Sequence, residues 1–448
     1  MKCYILRLLG LTLLSVYIQS ALCEDHFILR APPASVPAIA SRHGFALTSP
    51  PDTHGFTLVT KGDDRASDEV VAEVKSDTEV LGIERDRTVH VPETRPGIQV
   101  SQSTAAILDA LSARRLVQYF GGSVWSSYVR QPAATLTRLD DTHQELASGA
   151  GIVALIDTGV DPSQPILRTV LVPGYDFVNQ IPGVASELTD LDQSTAAILD
   201  QSTAAILDKN TIVQINQSTA AILDQSTAAI LDTRLLPAAF GHGTMVAGII
   251  HLVAPTAQIM PLKVFKGDGS ANMSDIVRAI YFAVDNGAQV INMSFSMADS
   301  SLELMRAVNY ATEHNVTCVA SAGNDGSETL VYPAAFQNVI GVASTDNQDK
   351  RSSFSNFGAA VVSLAAPGEG IITIYPGGNY AVVSGTSFST PFVSGGAALM
   401  IKNNRTLSPF DSAQGFFSGA KKLTPGLGYG RLDLFQAVRT GLQSGHDR

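Results

Sequence analysis

Cysteine is scarce in this chain. Its 448 residues hold three, Cys3, Cys23 and Cys318, which excludes a scaffold stapled by several disulfides. There is one tryptophan, Trp125. Charged residues are only 16% of the total, no run concentrates Lys and Arg, and the net charge is -11. That balance argues against a general nucleic-acid binder. Beyond residue 23 no apolar run approaches the roughly 20 residues that span a membrane. Apolar side chains are plentiful instead, at 45%, which reads as a globular chain with room for two or three domains.

The first residues read as a targeting segment. Lys2 and Arg7 flank the apolar stretch "ILRLLGLTLLSVYIQSALC", and Glu24 and Asp25 follow. This is the pattern of a secretory signal, residues 1–23, cleaved near Cys23. The alternative, a membrane anchor, suits a longer and uninterrupted apolar run. Signal removal leaves at most one cysteine, so no intrachain disulfide is expected. Cys318 lies in "NVTCVASAG", an apolar strand pattern that marks a buried core thiol.

Residues 24–93 read as a first unit. "HFILR", "GFTLVTK" and "RTVHVP" have strand patterns, and "VPAIASRHGF" and "SDEVVAEVKSD" have helical ones. The order predicts a small α+β sheet with helices on one face, ferredoxin-like. Residues 94–127 are a connector. The octamer "QSTAAILD" occurs five times, starting at Gln102, Gln193, Gln201, Gln217 and Gln225. The unit is short for a solenoid repeat. A step of eight residues rotates a helix by about 80° beyond two turns, so tandem copies keep no constant apolar face. Residues 181–234 therefore read as a surface insertion, helical in its octamers, or as expanded repetitive sequence without a chemical role.

Residues 128–442 form the main domain. Buried-strand patterns ("GIVALI", "IMPLKVF", "AQVINMSF", "NVTCVASA", "NVIGVAS", "AVVSLAA") alternate with helical ones ("GTMVAGIIHL", "SDIVRAIYFAVDNG", "SLELMRAVNYATEHN", "TSFSTPFVSGGAALMIK"). The alternation predicts an α/β fold with a doubly wound, mostly parallel sheet and helices on both faces. Ligands bind such sheets beyond the carboxyl ends of the strands. Four polar residues fall there: Asp157 in "LIDTGVD", His242 in "GHGTMVAGI", Asn324 in "SAGNDG" and Ser387 in "VVSGTS". Each alone is an ordinary helix cap or turn residue. The "DTG" also fits a pepsin-like aspartic protease, but that chemistry needs a second carboxylate and this chain has no second copy. Together the four make chemical sense. An imidazole can take a serine proton, a carboxylate can orient the imidazole, and an amide can hold an oxyanion. Asp, His, Ser is one of the orders in which such triads occur.

Those motifs, with "INMSFS", "FSNFG", "APGEGI", "SGTSFSTPFVSGGAAL" and the terminal "GYGRLDLFQAV", resemble the subtilisin-like serine proteases from residue 128 to about 440. The resemblance implies a secreted serine endopeptidase that works through an acyl-enzyme. Asp157, His242 and Ser387 would be its triad and Asn324 its oxyanion donor. Residues 24–93 would be a propeptide that assists folding and then inhibits. Ser294, Phe295 and Ser296 would form one wall of the substrate cleft, and Ser321, Ala322 and Gly323 the other. Val331 at the floor of the primary pocket and Ser296 at its wall hint at small or medium apolar side chains. No cofactor is required, and the family's usual calcium site is not expected, because Ile166 stands where its Asp would be. Protein or peptide substrates, the chain's own propeptide as inhibitor, a monomer, no nucleic acid and no membrane after signal removal complete these expectations. The competing class is a secreted binding or surface protein that keeps the protease core as scaffold.

Overall fold

A computed structural model describes residues 25–91, 115–191, 213–214, 221–222 and 236–444. Their contacts fall into two compact units that divide between Asp86 and Arg87. In the first, β1 (His26–Arg30), β2 (Phe45–Leu47), β3 (Phe56–Lys61) and β4 (Gly82–Arg85) make an antiparallel sheet in the order β2-β3-β1-β4. Helices Val36–His43 and Ser67–Lys75 fill the connections. Strand alternation puts Phe27 and Leu29 into one apolar cluster with Val36, Ile39, Val70 and Val74 from the helices. This is the ferredoxin-like pattern expected. Strands β2 and β4 escape the sequence reading because one is three residues long and the other, "GIER", is half polar. The strand expected in "RTVHVP", β5 (Thr88–His90), pairs instead within the second unit, antiparallel to Ser270–Asn272.

The second unit begins with a hairpin, β6 (Leu116–Tyr119) and β7 (Gly122–Trp125). Then come β8 (Ile152–Asp157), β9 (Gly174–Asp176), β10 (Ile181–Gly183), β11 (Val213–Gln214), β12 (Ala221–Ile222), β13 (Gln258–Lys263) and β14 (Ser270–Asn272). The last six are β15 (Val290–Met293), β16 (Thr317–Ser321), β17 (Val339–Thr345), β18 (Leu364–Pro367), β19 (Ile371–Tyr375) and β20 (Asn379–Val383). Eight of them form the main sheet, ordered β10-β9-β13-β8-β15-β16-β17-β18. Every pairing is parallel except β9 with β10.

From β13 to β18 both faces of this sheet are dry, which is why those strands read as unbroken apolar runs. Val153, Leu155, Val290, Val319 and Val342 join a cluster with residues of the helices His242–Val253 and Thr386–Asn403. Their neighbours in sequence, Ala154, Ile156, Ile291, Cys318 and Ala343, are buried too. Helices Met273–Asp285 and Leu302–Glu313 pack together as a second pair. From β8 the chain runs to β13 on one side and to β15 on the other. The winding therefore reverses at β8, and Asp157 is the last residue of that strand. Cys318 is buried in β16, and burial pushes its thiol up to about 12, as suits an inert core cysteine.

The octamers were expected to be helical. Of them only Ala221 and Ile222 lie among the described residues, and they are extended. They add to the edge of β20, with Ile222 opposite Ala381. An open strand edge offers backbone partners that outweigh a local helical preference. The signal segment and the remaining octamer residues lie outside the described residues. Residues 181–191, expected to open the surface insertion, are built into the domain instead. Strand β10 pairs with β9, and the 3-10 turn Glu187–Asp190 carries a fully buried Glu187. The buried Lys263 ammonium bonds Asp190 Oδ2 at 2.5 Å, and it also donates to the carbonyls of Thr158 and Phe265. Charged groups this deep persist only when paired, and the turn supplies the pair.

Two outcomes test this architecture. His251 is buried within the His242 helix, and burial, then the neighbouring His143, lowers its imidazole to about 4. An unfolded histidine titrates near 6.5, so between these values the unfolded chain holds a proton that the folded one does not. Stability should fall as pH drops from about 6.5 to about 4, by roughly 3 kcal/mol from this group. His251→Leu should remove that part of the slope in thermal unfolding followed across this range. Second, replacing residues 192–232 by a short Gly/Ser linker should leave cooperative unfolding intact. Starting the same deletion at 186 should abolish it, because Lys263 then keeps a buried charge without its carboxylate. Circular dichroism melting of the two variants decides.

Candidate active site

Strand β8 stops at Asp157 because the next backbone N–H, of Thr158, turns onto Asp157 Oδ1 at 2.8 Å. The same oxygen lies 2.7 Å from His242 Nδ1, and both side chains are buried. A carboxylate can only accept, so Nδ1 carries the proton of this pair and Nε2 is the basic nitrogen. His242 opens its helix because of the glycines around it. Gly241 has φ of +87°, the left-handed region, and a Cβ there would sit 2.4 Å from the Tyr375 ring. A Cβ on Gly243 would sit 1.9 Å from the carbonyl oxygen of Gly159, so only glycine lets the helix approach the strand end this closely. The Gly243 N–H then donates to Thr158 Oγ1 at 2.9 Å.

Ser387 is the second residue of the helix Thr386–Asn403 and is buried. Its hydroxyl donates to the Ser294 carbonyl at 2.9 Å. The following ring, Phe388, lies 5.4 Å from the imidazole of His242. Pro391, four residues on, has no N–H to give the Ser387 carbonyl. Ser294 Oγ takes that place and donates to Ser387 O at 2.8 Å. Ser294 is held in turn by Asn292 Nδ2 at 2.9 Å, while Asn292 Oδ1 accepts from Ser394 at 2.8 Å. Asn324 is fixed from the other side. Its Oδ1 accepts from the N–H and the hydroxyl of Thr386, at 2.9 and 2.8 Å. The backbone N–H can only donate, so the amide oxygen is assigned to Thr386 and the NH₂ turns away from it.

The expected wall residues sit at the carboxyl ends of neighbouring parallel strands. Ser294, Phe295 and Ser296 follow β15, and Ser321, Ala322 and Gly323 close and follow β16. Gly323 has φ of +93°, and a Cβ there would lie 3.3 Å from Ser296 Oγ, so the two segments face each other. Val331 is buried, as is Ile166. Among the described residues no group of three or more His, Cys, Asp or Glu is placed to hold a metal ion.

Sequence reasoning missed the supporting set. Thr158, Thr244 and Thr386 stand inside the quoted motifs, and their spacing from the reactive residues was the available signal. Glu187 gave none. It accepts from the Gly241 N–H at 3.0 Å, from Thr158 Oγ1 at 3.2 Å and from Thr244 Oγ1. Burial pushes its carboxyl up to about 8, against the bond from Thr244 that pulls it down.

This geometry is a buried carboxylate–imidazole pair at the switch point of a parallel sheet, with a hydroxyl at a helix start and an oriented amide. Residues 149–429 match the profile of the subtilase family. The chain is 34% identical over 300 residues to a thermophilic serine proteinase of Bacillus sp. (strain AK1), covering 64% of this chain and 61% of that protein. Thermitase of Thermoactinomyces vulgaris is 32% identical over 309 residues, covering 66% of this chain and 91% of thermitase. Subtilisin BL of Lederbergia lenta is 40% identical over 177 residues, 38% of this chain and 65% of that protein. The chain thus spans less than two thirds of the first and third of these relatives. Among solved structures, fervidolysin from Fervidobacterium pennivorans, a keratinolytic enzyme related to subtilisin, superposes with a TM-score of 0.66. It covers 93% of this chain and 61% of that one at 21% identity, a likeness of fold. With the family profile matched across more than half of its length, the chain belongs to the subtilase family.

Proposed function

We propose that the protein is a secreted serine endopeptidase that cuts peptide bonds through an acyl-enzyme. The observation that carries this reading is the buried 2.7 Å contact of His242 Nδ1 with Asp157, with Ser387 at the start of a helix packed against the His242 helix. In the proposed steps the Ser387 side chain swings from the Ser294 carbonyl toward His242 Nε2 and gives up its proton as Oγ attacks the substrate carbonyl. Asp157 stabilises the imidazolium. The Asn324 amide and the Ser387 N–H hold the oxyanion. His242 then protonates the leaving amine, and water repeats the path on the acyl group. Substrate lies extended between residues 294–296 and 321–323. These steps use side chains and a backbone N–H of this chain, and water. Ile166 offers no ligand oxygen where the family's usual calcium site would need one.

The first unit is proposed to be a propeptide that assists folding and then inhibits. It has its own apolar cluster, too much structure for a spacer. Residues 116–128 are tied into the second unit. Tyr119 donates to the Leu252 carbonyl, Trp125 stacks on Tyr380, and Tyr128 donates to the Gly248 carbonyl at 2.6 Å. Self-cleavage is therefore expected between about Thr94 and Arg115.

Ser387→Ala should lose peptide hydrolysis and fluorophosphonate labelling while it unfolds like the parent; surviving label refutes the assignment and favours a binding protein on a protease scaffold. Asn324→Ala should lower kcat by about 10²–10³-fold with KM little changed, the size usual for one lost oxyanion donor. Intact-mass measurement should show the active enzyme as a core that starts within the window above. Ser387→Ala should stay joined to its first unit. An active enzyme that keeps residues 25–91 attached would make that unit a permanent accessory domain.

A further inference from the structure

Glu187 lies at the start of a 3-10 turn, outside every motif of the family resemblance, yet it is fully buried beside the Asp157–His242 pair. All three groups that touch it are donors. The Gly241 N–H immediately precedes His242, Thr244 is two residues beyond, and Thr158 follows Asp157. Each hydroxyl oxygen is also held from its other side. Thr158 Oγ1 already accepts from the Gly243 N–H at 2.9 Å, and Thr244 Oγ1 already accepts from the Asp161 N–H at 2.7 Å. With Glu187 ionised, each threonine passes its own proton to it. The carboxylate draws the strand end that carries Asp157 and the helix start that carries His242 onto one acceptor.

We propose that Glu187 is a positioning residue of the peptidase: it clamps the base-bearing helix to the Asp157 strand so that the imidazole stays in line for proton transfer. The inference rests on the triad reading of Asp157, His242 and Ser387. The groups that face the carboxyl are few. Asp157 and Asp161 oppose its charge, Lys263 favours it, and the Tyr375 phenol is raised by burial and by Glu187 itself. With its carboxyl pushed up to about 8, Glu187 keeps a proton below that pH. A protonated carboxyl keeps all three contacts only if a threonine hydroxyl turns to accept from it, and its bonds are then those of a neutral acid. The clamp tightens as the proton leaves, so kcat should rise across pH 8. The sign follows from the charge: bonds to an ionised carboxylate are shorter and stronger than bonds to the neutral acid.

The test compares Glu187→Ala, Glu187→Gln and the parent on a short chromogenic peptide, with far-UV circular dichroism and thermal unfolding of each. Glu187→Ala should lower kcat about ten- to a hundredfold with KM within about twofold, the size of a small misplacement of a reacting group. Glu187→Gln, which keeps one acceptor oxygen in place, should recover most of kcat near neutral pH and lose the rise near pH 8. A folded Glu187→Ala with parental kcat overturns the proposal. If the alanine variant does not fold, a Glu187→Gln profile that superimposes on the parent's overturns it equally. Ser387→Ala run beside them separates the two ideas. Hydrolysis that survives in Ser387→Ala refutes the triad. An inactive Ser387→Ala beside an unaffected Glu187→Gln refutes the clamp alone.

Discussion

Asp157 and His242 meet at 2.7 Å with both side chains out of water, and that contact demands much of the chain around it. A carboxylate and an imidazole taken from solvent are tolerated only where they are paired and the geometry is held. Strand β8 must end at Asp157, and the helix must begin at His242. Thr158 does part of each task, since its N–H closes on Asp157 and its hydroxyl receives Gly243. The glycines either side of His242 are there for approach. Any side chain on Gly243 would strike the backbone of Gly159.

A second layer holds the first from behind, and it is made of small polar side chains buried in an apolar domain. Asn292, Ser294 and Ser394 link strand β15 to the Ser387 helix. Thr386 orients Asn324. Glu187 and Asp190 reach in from one short turn to meet two threonines, a backbone N–H and the Lys263 ammonium. Rigid elements carry the reactive groups, and short bonds between those elements set the distances.

The legible part of this arrangement is the local part. Strands β8, β13, β15, β16, β17 and β18 announce themselves as apolar runs because both faces are covered. Asp157, Asn324 and Ser387 each stand within two residues of a glycine at the end of an apolar run. Glu187 is illegible for a physical reason. Its partners lie 29, 54 and 57 residues away in sequence, and "ASELTD" taken alone reads as a solvated turn. Ala221 and Ile222 fail in the other direction. Their octamer has a helical composition, but the free edge of β20 decides their conformation. Thr88–His90 reads correctly as a strand, while its partner, Ser270–Asn272, lies far along the chain and only the fold brings the two together.

Pro391 carries a consequence of its own. A helix that completed its hydrogen-bond ladder would hold the Ser387 carbonyl by itself. With the proline in place, that carbonyl hangs from Ser294, at the end of a strand in the middle of the main sheet. One carbonyl of the first turn is thereby suspended from the sheet rather than from its own helix. The Ser387 hydroxyl thus takes its height and tilt from the end of the strand that carries Ser294.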